Sequence, residues 1–163
     1  MLKKKLQLYF KLFFQKLFML IYGKIKTDDI NYLNNDELII INNIKSDTYP
    51  DQEYFLYKIK NGRIHTDMNE NVSIINKNNL ISDSSFQQIN GVLKSKNYNS
   101  VLIKGTPRFK KKFKGKIFNL TQGGSGNNYF HFIFDILPKI YLLKKKIPIE
   151  SINYFYVPEI KNW

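Results

Sequence analysis

Residues 117–157 read IFNLTQGGSGNNYFHFIFDILPKIYLLKKKIPIESINYFYV. Two short apolar runs, Ile117 to Leu120 and Ile152 to Val157, flank a glycine-rich loop and a long apolar stretch. The first run predicts a strand. Gly123, Gly124 and Gly126 then predict a flexible loop, and Asn127 or Asn128 is a good helix N-cap. The stretch from Tyr129 to Leu137 is apolar apart from His131 and Asp135, which predicts a buried helix. Pro138 is placed to kink or restart that helix, and Pro148 to end it. The whole stretch therefore predicts a strand–helix–strand unit, the building block of an α/β fold.

Such a unit puts backbone N–H groups and a helix N-terminus at the end of a strand, a place for anionic or polar ligands. The spacing fits neither G-x-G-x-x-G with a following acid nor a Walker A motif. His131 and Asp135 stand four apart, with Asn128 three residues before, so a helix sets all three on one face. A buried carboxylate needs a partner. The economical arrangement pairs Asp135 with His131, or turns both toward a polar cavity. Asp135 could then fix one tautomer of the imidazole, as a general base requires. A purely structural His–Asp tie is the other reading of the same spacing. A metal reading is weaker, because two ligands fall short of the usual three or four.

Working outward, residues 53–67 hold two apolar runs around Asn61-Gly62, the preferred pair for a two-residue hairpin. His65 lies on the returning run and reads as an exposed or satisfied strand residue. Leu38–Ile41, Val72–Ile75, Leu80–Ile81 and Val101–Ile103 predict further short strands. The Asn-rich run from Asp28 to Glu37 reads as a loop, and GTPRFKKKFKG (105–115) as a basic loop.

Residues 2–22 read LKKKLQLYFKLFFQKLFMLIY and predict a helix stopping at Gly23. Lys4, Gln7, Lys11 and Gln15 form a narrow polar stripe on an apolar and aromatic cylinder. The longest apolar run is six residues, Leu17 to Tyr22, against the roughly 20 that a membrane span needs. An interfacial helix is the better expectation. Phe10, Phe13 and Phe14 would then enter the acyl boundary, and Lys3, Lys4 and Lys5 would meet anionic headgroups. Packing on its own domain or on a partner subunit is a second reading of the helix, and a secretory signal or anchor a third.

The chain has 163 residues, 43% of them hydrophobic, 26 Lys+Arg against 13 Asp+Glu, and no cysteine. That length suits one domain or one domain with an appendage, and the composition excludes wholesale disorder. The absence of cysteine excludes disulfides, thiol nucleophiles and Cys-ligated metal. His65 and His131 are the only histidines. The excess positive charge lies in residues 1–26 and 104–116, which contain no acid. Only two of the basic residues are arginine, Arg63 and Arg108, which disfavours a nucleic-acid partner that reads bases.

GNNYFHFIFDILPKIYLL (126–143) resembles the N-terminal motif of family 61 glycosyltransferases, the capsular-polysaccharide-type enzymes. The pattern is carried by Asn128, Tyr129, Phe130, His131, Asp135, Leu137 and Pro138. Residues 62–87 resemble the region before that motif, and INYFYVP (152–158) the strand after it. The resemblance implies an α/β chain with an incomplete N-terminal Rossmann-like domain of a GT-B fold. A hairpin-rich segment and the amphipathic helix would precede that domain. The expected divisions are a basic helix over 1–26, a linker with a short strand over 27–50, and a partial acceptor-side domain over 51–163.

The resemblance also implies inverting transfer from a nucleotide-sugar co-substrate to a saccharide or glycolipid hydroxyl in surface polysaccharide synthesis. No tightly bound cofactor is expected, and metal dependence stays open. His131 backed by Asp135 is the expected base, with Asp135 as rival. Gly123, Gly124, Gly126, Asn127 and Asn128 would line the acceptor side. A doubly wound domain runs about 150 residues, so the C-terminal donor-binding domain is expected to be absent from this chain, as in a truncated or split product or an incomplete gene model, with a separate chain as one possible source of it. The chain alone is expected to be inactive, cytoplasmic and peripheral to the membrane. A non-enzymatic basic module binding membranes or acidic polymers is the alternative.

Overall fold

A computed structural model describes residues 2–28, 38–45, 53–66, 71–89, 92–94, 98–122 and 128–157. The chain is mixed α/β. Helix α1 (Leu2–Tyr22) is followed by strands β1 (Lys26–Asp28), β2 (Leu38–Lys45), β3 (Glu53–Ile59) and β4 (Arg63–Thr66). Next come β5 (Asn71–Asn76), β6 (Asn79–Ile81), β7 (Phe86–Ile89), β8 (Val92–Lys94) and the short helix α2 (Val101–Lys104). The chain continues through β9 (Ile117–Asn119), α3 (Tyr129–His131), a π turn (Phe132–Ile136), α4 (Leu137–Lys144) and β10 (Tyr154–Tyr156).

Strand β5 is the centre. All six of its residues are buried. One edge pairs antiparallel with β4, and the other is shared between β6 and β7. The sheet extends through β7 to β8 and, in parallel, through β6 to β1. A strand covered on both faces needs two apolar layers. Ile75 packs with Ile25, Leu80 and Val101 on one side. Val72 and Ile74 pack with Ile81, Ile59 and Ile64 on the other.

The expected hairpin at Asn61-Gly62 does not close. Strand β3 pairs with β2, and β4 pairs with β5. Asn61 has φ 55, but Gly62 is not left-handed, and a type I′ turn requires positive φ at both positions. The two strands therefore part into different sheets. A two-residue connection forms instead at Lys77 and Asn78, between β5 and β6, with Lys77 at φ 51.

The expected strand over Val101–Ile103 is helical. Asn99 Oδ1 accepts from the Val101 N–H at 3.2 Å, and Gly105 closes the turn at φ 62. Three apolar residues carry too weak a strand preference to resist that capping. Strands β1, β7 and β8 were not foreseen; they rest on pairing with neighbours rather than on an apolar pattern of their own. The remainder of the Asn-rich loop, 29–37, lies outside the described residues.

Asn99 is buried at 1% exposure and cross-links the layers. It accepts from Ser73 Oγ at 2.8 Å and donates to the Val72 carbonyl at 3.1 Å. Removing one member of a buried polar network strands the others. Asn99→Ala is expected to lower stability by about 2 kcal/mol, measured as a shifted urea midpoint at unchanged m-value.

Candidate functional site

Strands β9 and β10 pair in parallel, with Phe118 opposite Phe155. The helix between them makes the expected strand–helix–strand unit. Gly123, Gly124, Gly126 and Asn127 lie outside the described residues. Asn128 takes the N-cap position, and its side chain accepts from the Phe130 N–H at 3.0 Å.

The helix is interrupted where the chemistry sits. Residues 132–136 form a π turn, in which the Leu137 N–H reaches the Phe132 carbonyl, five residues back. Pro138 supplies the reason. It has no N–H and its ring crowds the carbonyl four residues before, so a wider turn ahead of it relieves the strain. The expected restart of the helix at Pro138 takes this form.

His131 Nδ1 lies 2.7 Å from Asp135 Oδ2. The pairing foreseen from spacing is present, but deep burial is not: each side chain is 30% exposed. The helix as a whole is not buried either. Tyr129, Phe130, Phe134 and Tyr141 are exposed, while Ile136 and Leu143 face inward. An apolar sequence on every side set the expectation of burial, and the described residues cover only one face.

Asp135 lines an open cleft of ≈ 2630 Å³ between the β3–β4 turn, the basic loop and α4. It is the only carboxylate among the described lining residues, and His131 stands just outside that lining. Lys139, one turn beyond Asp135, also lines the cleft and was not foreseen. Its Nζ donates to the Thr121 carbonyl at 3.1 Å and so ties the helix to the end of β9. Thr121 is in turn held by Asn119 Oδ1, at 2.6 Å from its hydroxyl. Burial pulls the Lys139 ammonium down to about 8, against the opposing pull of the Asp135 carboxylate. Its four-residue spacing from Asp135 was the signal available in the sequence.

If Nδ1 carries the proton shared with Asp135, Nε2 presents a lone pair. That arrangement accepts a proton and stabilises the imidazolium that results. No group of three or more metal-ligating side chains occurs among the described residues. His65 is half-buried on β4 opposite Ser73.

At the N-terminus, α1 is a helix that Gly23 ends at φ 81. No described helix is long and apolar enough to cross a membrane. The polar stripe is turned inward at its C-terminal end, where Gln15 is buried next to Phe18. Phe18 packs edge-on against Phe109 at 5.1 Å. Lys3, Lys4, Lys5, Phe10 and Phe13 are exposed. Phe14 is not; it is half-buried in a ladder with Phe10 and Phe18. No family model, curated protein or solved structure matches the chain.

The depressed Lys139 pKa has a defined consequence for stability. Between about 8 and its usual 10.5 the folded chain has released a proton that the unfolded chain retains. Rising pH therefore favours the folded state in that window. Measured by urea midpoints from pH 7.5 to 10, the protein is expected to gain stability relative to Lys139→Gln as pH rises.

Proposed function

We propose that this chain supplies the acceptor side of an inverting glycosyl transfer from a nucleotide-sugar to a saccharide or glycolipid hydroxyl. The observation that supports the reading best is the His131–Asp135 pair at 2.7 Å, beside a cleft and following the carboxyl end of a parallel strand. In this reading β9, α3, α4 and β10 belong to a Rossmann-like, acceptor-side domain of a GT-B enzyme. A partner domain holds the donor. The acceptor oxygen attacks the anomeric carbon, and the bond to the nucleotide diphosphate breaks. His131 Nε2 takes the acceptor proton as attack proceeds, and the diphosphate leaves with the bonding electron pair. Asp135 holds the imidazole and stabilises its charged form. The resemblance of 126–143 to family 61 glycosyltransferases points the same way.

The test is transfer of labelled sugar from UDP-, GDP- and dTDP-sugars. The chain is assayed alone and co-expressed with neighbouring reading frames that carry a donor-binding domain. A general base contributes roughly 10²- to 10⁴-fold, so His131→Ala is expected to lower transfer by at least about 100-fold. Asp135→Asn should cost less and shift the pH profile. A larger loss from Asp135→Asn than from His131→Ala would make Asp135 the base. No transfer in any combination, or transfer indifferent to both variants, overturns the reading.

A second reading, docking at a membrane surface, is favoured by one specific observation. Leu2, Leu6, Tyr9, Phe13, Leu17 and Leu20 recur at helical spacing and are all exposed, on the side of α1 opposite Gln15 and Phe18. A helix whose apolar face points to solvent while Gln15 and Phe18 attach its other side to the domain fits an in-plane lipid contact. Its 21 residues span about 31 Å of surface. Flotation with vesicles of phosphatidylglycerol and phosphatidylcholine is expected for the unmodified chain. Phe13→Asp combined with Leu17→Asp should abolish it with an unchanged melting midpoint, because both residues are exposed. Flotation that survives the double substitution removes this role from α1.

A further inference from the structure

Arg63 opens β4, at the corner where the β3–β4 turn, the end of α1 and the basic loop meet. Its Nε, Nη1 and Nη2 are all shielded from solvent, and none has a hydrogen-bond partner among the described residues. A guanidinium carries five N–H donors and holds its charge at any ordinary pH. Burying those donors unanswered is costly, so an orphaned guanidinium calls for an explanation. Its surroundings make the cost larger. Burial and the neighbouring charges of Arg63 and Lys112 depress the Lys110 ammonium. Lys110 Nζ sits 4.0 Å above the Tyr22 ring, which anchors the cluster to α1. The Thr106 hydroxyl, 5% exposed and lining the same cleft as Arg63, also has no partner among the described residues. Unsatisfied donors, clustered cations and no nearby carboxylate among the described residues share one remedy, a bound anion.

We propose that Arg63, Lys110 and Lys112, with the Thr106 hydroxyl, form an anion site that takes a phosphate or diphosphate group. The charge count favours phosphate over carboxylate. Three cations exceed what one carboxylate neutralises, whereas a diphosphate matches them. The exposed lysines meet the phosphate as point charges, and the guanidinium adds a third positive charge. The cleft is wide enough for the group to belong to a larger molecule. The site stands on its own geometry and does not depend on the sugar-transfer reading.

The test is calorimetric titration of the full chain with inorganic pyrophosphate at fixed ionic strength, with acetate as the comparison anion. Saturable pyrophosphate binding, much tighter than acetate, is expected. Arg63→Gln should weaken it at least 10-fold. Lys146→Gln, on another part of the cleft wall, should leave it within 2-fold. Because Arg63→Gln removes an uncompensated charge, its melting midpoint is expected to equal or exceed that of the unmodified chain. A marked fall in the midpoint would reveal a structural role for the guanidinium and overturn the proposal. Lys110→Gln combined with Lys112→Gln tests the site without touching the guanidinium, since both side chains are exposed. Unchanged pyrophosphate affinity in that variant overturns the proposal, as does absent or acetate-like binding by the unmodified chain. Pyrophosphate that displaces the chain from phosphatidate vesicles assigns the phosphate to a lipid headgroup. Pyrophosphate that binds without displacing it assigns the site to a soluble phosphate compound. Both results support the site.

Discussion

Strand β5 is covered on both faces, and the rest of the fold answers to that constraint. A strand buried from Asn71 to Asn76 leaves none of its side chains to solvent. Apolar residues alone would fill both faces without fixing the layers relative to one another. The chain instead interleaves Ser73 with Val72 and Ile74, and Ser73 reaches Asn99 while Asn99 reaches back to the β5 backbone. Ser85 adds a second clasp by accepting from the Ile74 N–H at 2.9 Å. These bonds fix where α2 begins. The segment after α2 carries Gly105, which lies against Met19 of α1, and Phe109, which meets Phe18. The placement of α1 thus depends on polar contacts inside the sheet.

What could be read in advance depended on whether the signal was local. Helix α1, its end at Gly23, strands β9 and β10 and the helix between them were all legible, because period, punctuation and length agreed. The His131–Asp135 contact was legible because a four-residue spacing on a helix leaves little freedom. Strands β7 and β8 were hidden, since FQQI and VLK carry no distinctive pattern and form by pairing. The Asn61-Gly62 pair misled for the opposite reason. It is a strong local turn signal, but stronger partners for β3 and β4 lay elsewhere in the chain. Arg63 and Lys139 were hidden because their significance lies in what surrounds them.

Inward and outward faces also proved to be a matter of context. The apolar composition of the helix over 129–144 predicted burial, whereas that of α1 predicted an interfacial helix. The described residues turn Gln15 of α1 inward and leave Phe13, Leu17, Phe130 and Phe134 outside. Each helix is attached along a narrow line and presents the rest. Composition measures how much apolar surface a segment carries; the attachment decides which part is covered. The two surfaces differ in what flanks them. Lysines border the outward side of α1, whereas aromatic rings dominate the outer side of α3 and the π turn.

The π turn ahead of Pro138 has a consequence for how this helix tolerates change in length. A five-residue closure holds one more residue than an α-turn over the same span. Each α-helical residue contributes about 100° of rotation and 1.5 Å of rise. Deleting a single residue between Phe132 and Ile136 would let the turn tighten toward α geometry with little loss of axial length. A deletion within α4 has no such reserve and would draw Lys139 away from Thr121. Insertions meet the reverse situation, because the turn is already wide. The stretch carrying Asp135 is therefore asymmetric in the length variation it can absorb, more open to shortening than to lengthening.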